Sequence, residues 1–349
     1  MKARRISTII KYNNTDISAD ISKYLEGISY TDNLSGEADD LQLTLDDREG
    51  LWQSTWMPEK GALLDAELQL NNWQSLSALP QKLRLGLFEI DEIGSSGYPS
   101  TAQIKAVSVP DNNTLRGVER SRSWEKTKLQ VIANDIAKAA DMSLYWDTEE
   151  NPVLDRAEQT EQSDLSFLYA LCKDQGLALK ISDNQIIIFD EEKYESIPAK
   201  ITIVKPGTTY NAESEMLYIR AGLGYELRTK IRDIYAACRV SYQQGKSKAK
   251  IEGTYTVPGK KGKTLQVSEQ VESVAEALRL AKKRLREKNK DETTGSFPLI
   301  GNFVLAAGST INTLGFGAFD GKYLITRATH DINNGYKTNI EVRRCLDGY

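Results

Sequence analysis

Between Asp40 and Asp46 the chain reads Asp-Leu-Gln-Leu-Thr-Leu-Asp, with an apolar residue at every second position. That period sends Leu41, Leu43 and Leu45 to one face of an extended strand, whereas a helix needs apolar residues three and four apart. The same texture fills the first hundred residues. Ser7 to Tyr12 and Ile17 to Tyr24 read as strands around the turn Asn13-Asn14-Thr15-Asp16. Leu63 to Leu70 alternates more loosely, and Leu83 to Ile93 and Ala102 to Val109 flank the hairpin loop Gly94-Ser-Ser-Gly-Tyr-Pro-Ser100. Short strands separated by turn residues predict a barrel or a sandwich.

Near residue 120 the period changes. Leu129, Ile132, Ala133, Ile136 and Ala140 are spaced for a helix from about Thr127 to Met142. A second helix starts at Ser163, an N-cap with Asp164 behind it, carries Phe167, Leu168, Leu171 and Cys172 inward, and ends at Gly176. Leu177 to Ile181 and Gln185 to Phe189 then form a hairpin around Ser182-Asp183-Asn184. From Ala199 the β pattern returns in Ile201 to Val204, Met216 to Ala221, Asp233 to Tyr242 and Lys248 to Tyr255. One long helix, 268–290, has Val271, Val274, Ala275, Leu278, Ala281 and Leu285 on one stripe and Lys282, Lys283, Arg284, Arg286 and Lys288 opposite. Gly295 to Gly321 is rich in Gly and Ser, and Tyr323 to Thr326 and Thr338 to Arg343 close the chain as strands. The expected fold class is α+β, mainly β: a first β-barrel domain over 1–115, an inserted α+β module over 116–198, and a second β-barrel domain over 199–349 with the long helix.

Composition narrows the function classes. With 349 residues, 40% of them hydrophobic, and 24 glycines, the chain is globular in composition, not disordered or collagen-like. A formal charge of −4 and a pI of 5.4 argue against a surface that grips nucleic acid throughout. Cys172, Cys238 and Cys345 have neither disulfide nor zinc spacing. The N-terminus lacks the apolar core of a secretory signal, and no apolar run reaches the ~18 residues of a membrane span. The expectation is a soluble chain made in a reducing cytoplasm, in which the sequons at Asn13 and Asn112 are chance.

Motifs for catalysis are sparse. The single histidine, His330, precedes Asp331, and neighbours on a strand face opposite ways, so the two form no dyad; a strand-end hydrogen-bonding role is the simpler reading. Gly259-Lys-Lys-Gly-Lys-Thr264 ends like a phosphate loop, but the other glycine it needs is Val257. Gly222-Leu-Gly224 and Gly315-Phe-Gly317 lack the third glycine of a dinucleotide turn. The acid pairs Asp39-Asp40, Asp46-Asp47, Glu149-Glu150 and Glu191-Glu192 fit solvated strand ends and loops, although two carboxyls across a cleft would suit glycoside hydrolysis. The basic helix face reads as solvated or paired with acids before it reads as nucleic-acid binding. No catalytic, cofactor or metal residue is assigned, and the chain is read as a non-enzyme working through its surfaces.

Four segments then resemble the phage late control protein D family, the hub proteins of tail baseplates, related to the N-terminal hub part of type VI secretion spike proteins. They are Asp39 to Asp47 with Trp56 and Gly61; Ser123-Trp-Glu with its following helix; Gln162-Ser-Asp-Leu-Ser-Phe-Leu168 with Gly176-Leu-Ala-Leu179; and the long helix followed by Gly301, Gly308, Gly315, Asp320-Gly-Lys-Tyr-Leu-Ile-Thr326, His330 and Gly335-Tyr-Lys-Thr338. They occur in the family's order along nearly the whole chain.

The resemblance implies that both barrels are tail-tube-like and that the chain is a structural hub of a contractile phage tail or phage-tail-like particle. It implies a homotrimer whose six barrels adapt the six-fold tail tube to the three-fold central spike. Partners would be the tail tube protein, the central spike protein, and the tape measure and other baseplate proteins. No sequence-specific nucleic acid, membrane, metal or cofactor is implied. Assembly is expected in the host bacterial cytoplasm, with the mature protein in the virion tail baseplate. No spike or lysozyme segment follows Tyr349, so puncturing is expected of partners. The alternative is a cell-wall hydrolase at the tail tip using Asp39, Asp40, Asp46 and Asp47.

Overall fold

The computed structural model describes residues 5–73, 80–109, 115–213, 215–243, 250–333 and 335–349. The chain is mainly β and divides into two units: Met1–Glu191 with Pro298–Ser309 and Thr326–Ile340, and Glu192–Phe297 with Thr310–Ile325 and Glu341–Tyr349. Among the described residues no helix is long and apolar enough to cross a membrane.

The first unit is built on an antiparallel sheet. From one side it runs through the Gly321–Ile332, Leu25–Asn33, Asp40–Asp46, Thr101–Val107, Gln81–Ser96, Leu63–Asn71 and Arg5–Tyr12 strands to the short Thr15–Asp16 strand. The alternation read from the sequence sets which face is buried. Leu41, Leu43 and Leu45 point inward with Ile28 and Tyr30, Leu64 and Leu68, Phe88 and Ile90, Ile104, and Ile10. The sheet therefore curls around one shared core, in which each large side chain contributes about 1.5–3 kcal/mol of burial.

Two local outcomes differ from expectation. Asn13 and Asn14 do make the turn, with φ of 46° and 67°, a left-handed pair that asparagine tolerates. The residues after it do not form the expected Ile17–Tyr24 strand, because the Asp16 carboxylate accepts from the Ser18 amide at 2.9 Å and starts one helical turn, Ser18–Ile21. The strand begins later, at Leu25.

A second core in the same unit belongs to the intervening α+β segment. Leu129–Ala139 and Asp164–Asp174 are helices, and Leu129, Ile132, Ala133, Ile136, Phe167, Leu168 and Cys172 are buried together. Ser163 caps the second helix by accepting from the Ser166 amide at 3.3 Å, and Gly176, at φ 70°, ends it. Ala178–Ser182 pairs with Gln185–Phe189 through the left-handed Asp183 and Asn184, and Ser143–Asp147 joins them in parallel. Glu119–Lys128 and Val153–Ser163 form a separate antiparallel ribbon.

In the second unit, Leu217–Arg220 and Ile201–Val204 run parallel to each other and to Thr310–Leu314, which pairs antiparallel with the start of Gly321–Ile332. The sheet continues through Tyr336–Arg344 and Thr293–Ile300 to Glu226–Thr229. A three-stranded sheet of Ile251–Thr256, Ala237–Tyr242 and Thr264–Val267 packs against the long helix, Val274–Asn289. Residues Lys248 and Ala249 of an expected strand, and the Asn112 sequon, lie outside the described residues.

The long helix starts at Val274, six residues later than expected. Ser273 accepts from the Glu276 amide at 3.1 Å while the Glu276 carboxylate accepts from the Glu272 amide at 2.8 Å, so the helix cannot begin earlier without losing that cap. Its Ala277, Ala281 and Leu285 meet Cys238 and Val240. Gly253 allows the approach: a Cβ there would lie 2.7 Å from the Leu278 nitrogen.

Candidate functional site

His330 lies within the Gly321–Ile332 strand and is 1% exposed. Its Nδ1 is 2.7 Å from the Tyr336 hydroxyl and 3.3 Å from that of Thr338, and its ring stacks with Tyr30 and Tyr336 at 5.9 Å. A further hydrogen bond joins it to the Leu305 backbone. Burial pushes its pKa down to about 4, against the pull of Asp32, so the ring is neutral at physiological pH. Asp331 faces the other way and accepts from Ser29 at 2.7 Å. There is no dyad, and the imidazole has no nucleophile against it.

The acid pairs are equally occupied. Asp39 is 0% exposed and its Oδ1 accepts from the Asn33 amide at 2.8 Å and from Lys180 at 2.9 Å. Lys180 also donates to Asp32 at 2.6 Å, and Asp32 accepts from the Ala307 amide at 2.8 Å. Two carboxylates share one ammonium, and burial, reinforced by the Asp32 charge, raises Asp39 to about 6. Lys180 is raised too, because the attraction of Asp32 and Asp39 outweighs the burial that opposes its charge. Burial also raises Asp40. At the other end of the strand Asp47 accepts from the Trp52 amide at 2.9 Å and from Gln53 at 2.9 Å. Six residues of strand, at ~3.3 Å each, put Asp40 and Asp46 about 20 Å apart. A glycosidase pair needs ~5–10 Å, so these acids cannot serve one bond.

The other sequence candidates resolve into structure in the same way. The basic face of the long helix is tied down within its unit: Arg284 donates twice to Glu269 at 2.8 Å, Lys282 pairs with Glu192 at 3.5 Å, and Arg286 reaches Glu195 at 2.6 Å. Glu195, 4% exposed at its side chain, also holds Arg343 at 2.5 Å and accepts from the Leu346 amide at 3.0 Å. Sequence spacing gave no signal for that buried cluster, or for Lys180. The loop 259–264 leads into the Thr264–Val267 strand, not a helix N-terminus, and Lys260 pairs with Glu292. Gly315, at φ 89°, makes room for Thr208, whose hydroxyl oxygen would lie 2.2 Å from a Cβ. Burial raises the thiols, Cys172 to about 12 and Cys238 and Cys345 to about 11. Among the described residues no group of three His, Cys, Asp or Glu side chains could hold a metal ion.

The surfaces carry what the polar groups do not. Trp56 and Met57 are 39% and 53% exposed beside a groove at one end of the first unit's sheet. Ile300 and Val304 are exposed on the Pro298–Ser309 segment, and Leu223 and Ile231 stand out of the second unit, flanking the Glu226–Thr229 strand. Trp56 in a polar loop was the readable signal for the first of these.

Comparison with known proteins agrees with this distribution. A probable baseplate hub protein of Escherichia phage 186 is 30% identical over 180 residues, 51% of this chain and 43% of that protein. The match thus spans about half of this chain and less than half of its relative. The crystal structure of a tail protein from Neisseria meningitidis superposes with a TM-score of 0.69 at 10% identity, covering 97% of this chain and 96% of that one. An E. coli component of the type VI secretion system, described as structurally similar to the T4 bacteriophage tail proteins gp27 and gp5, gives a TM-score of 0.56 at 12% identity over 100% of this chain and 76% of that one. At such identities the likeness is one of fold. The sequence profile described as phage tail baseplate hub (GPD) matches residues 89–336, so the chain belongs to that family.

Proposed function

We propose that this baseplate hub protein acts as a homotrimeric ring that adapts a six-fold tail tube to a three-fold central spike in a contractile phage tail or tail-like particle. The supporting observation is the presence of two β units with separate cores in one hub-family chain. Three copies supply six such units, and a three-fold axis closes identical head-to-tail contacts into a ring. Residues 1–115 carry most of one tube-like barrel, 116–198 the inserted module, and 199–349 most of the other. Tube and spike proteins bind opposite faces, with the tape measure and other baseplate proteins as further neighbours. The protein acts without catalysis, assembles in the host bacterial cytoplasm and resides in the baseplate.

Native mass spectrometry tests the reading. The expected species is about 117 kDa, three times 39.0 kDa, alone or on co-expression with the tube and spike proteins of the same particle. A monomer that remains apart from both partners overturns it.

A further inference from the structure

The groove beside Trp56 is an unfinished end of a hydrophobic core. The loop between the Asp40–Asp46 and Leu63–Asn71 strands folds over the sheet end without sealing it, leaving a volume of about 440 Å³. Trp52, Trp56 and Met57 wall one side, Tyr12 and Ile17 the other, and core leucines such as Leu45 form the floor. The walls are held in place: Trp56 packs edge-on against Trp52 and Tyr24 at 5.5 Å, and Glu59 donates its amide to the Tyr12 hydroxyl at 3.1 Å. A rigid aromatic wall needs little ordering on binding, and an exposed methionine adapts to what it meets.

Two polar features select among occupants. Asp20 is the one charged residue among the described lining residues, and it is exposed at the rim. Lys23, its nearest basic neighbour in sequence, is held over the Tyr24 ring at 4.5 Å. Trp52 is 6% exposed, and its Nε1–H finds no acceptor among the described residues. A purely apolar ligand would leave both unanswered, and a buried donor without an acceptor costs about 1–3 kcal/mol. A peptide supplies a carbonyl for the indole, an apolar side chain for the groove, and, if basic, a cation for Asp20 and the Trp56 face.

We propose that this groove docks an extended segment of a partner protein in which a large apolar residue is followed by Lys or Arg. Charge complementarity at Asp20 commits the site to a basic segment.

Fluorescence anisotropy with the full chain tests this, using labelled eight-residue Gly/Ser peptides carrying Phe-Lys, Phe-Glu or Gly-Lys at their centre. The Phe-Lys peptide should bind at least tenfold more tightly than either of the others. Asp20→Lys, a change at an exposed position, should invert the order of Phe-Lys and Phe-Glu. Trp56→Ser should abolish binding while circular dichroism stays unchanged. Equal binding of the three peptides, an order indifferent to Asp20→Lys, or no binding at about 1 mM overturns the proposal. So does a fall in native mass on Trp56→Ser with no peptide bound, which would make the groove a contact between copies.

Discussion

Gly301→Ala is the most informative single substitution, because its effect follows from three distances. A Cβ on Gly301 would lie 2.1, 2.2 and 2.5 Å from Cγ, Cδ1 and Cδ2 of Tyr336, where ordinary contact begins at 3.4 Å. The ring would have to retreat by more than about 1 Å. It cannot do so freely: Trp73, Phe303 and His330 lie 5.5, 5.7 and 5.9 Å from it centroid to centroid, and the Gly301 amide donates to the Tyr336 carbonyl at 3.0 Å. Displacing the ring also breaks the 2.7 Å bond to His330 Nδ1. Overpacking costs ~1–3 kcal/mol and an unsatisfied buried acceptor a similar ~1–3, so a loss of about 4 kcal/mol is expected. Tyr336→Ala alone should cost about 3–5 kcal/mol. In the double variant the methyl group occupies space the ring has left, so it should be no worse than Tyr336→Ala by more than ~0.5 kcal/mol. All five tryptophans fall within Met1–Glu191, so tryptophan fluorescence in guanidinium reports this unit, at fixed protomer concentration. Additive single costs, or a Gly301→Ala loss below about 1 kcal/mol, would refute the argument.

His330, held near 4 against an ordinary 6.5, takes up a proton more readily unfolded than folded, so it removes stability as pH falls through that window, by about 2 kcal/mol between pH 7 and 5. Asp39, raised to about 6 from 3.8, takes up its proton more readily folded and adds stability as pH falls through its own window. The two oppose each other; His330→Gln should therefore gain stability relative to the unsubstituted protein from pH 7 to pH 5 in guanidinium titrations, and an unchanged difference would count against the assignment. Lys180→Met strands Asp32 and Asp39 without their ammonium and should cost about 3–5 kcal/mol at pH 7, less at pH 5 as Asp39 protonates; a penalty that grows in acid contradicts this. Glu195→Ala leaves Arg286 and Arg343 facing each other without a carboxylate, so amide exchange across the Val274–Asn289 helix should rise by the equivalent of about 3–5 kcal/mol, with Glu195→Gln less severe. Equal exchange in both variants would point to lost packing instead of lost charge.

What the sequence revealed was local. The Asp40–Asp46 alternation, the Ser163 cap with Gly176, and the Asp183-Asn184 turn each lie within one element, and each appears in the structure. The late start of the long helix was also readable, since Ser273-Val-Ala-Glu276 is a capping box whose signal is stronger than the apolar stripe that runs past it. Pairings between distant residues were not readable. Tyr30 faces His330 across two strands, and Lys180 joins Asp32 and Asp39 from about 140 residues away. Nothing in a neighbourhood of ten residues specifies such partners. Ile17 to Tyr24 misled because apolar spacing over so short a run fits a strand or a turn of helix, and the Asp16–Ser18 hydrogen bond decides it.

Groups that an enzyme would spend on chemistry are here spent on fixing backbone positions. His330 ties Tyr336 and the Leu305 backbone together, Lys180 gathers two strands' carboxylates, and Glu195 holds two arginines and the Leu346 amide. A catalytic imidazole, carboxylate or ammonium must keep one face open to a substrate and a pKa near the working pH. None of these three does: the imidazole is neutral and enclosed, and the ammonium and Glu195 are saturated by fixed partners. Buried ion clusters add little net stability compared with apolar packing, but they tolerate only one arrangement of their partners. A protein that works by presenting surfaces in fixed register gains from that intolerance, which is why the interior is polar where the strands must align and the exposed residues at the groove are apolar.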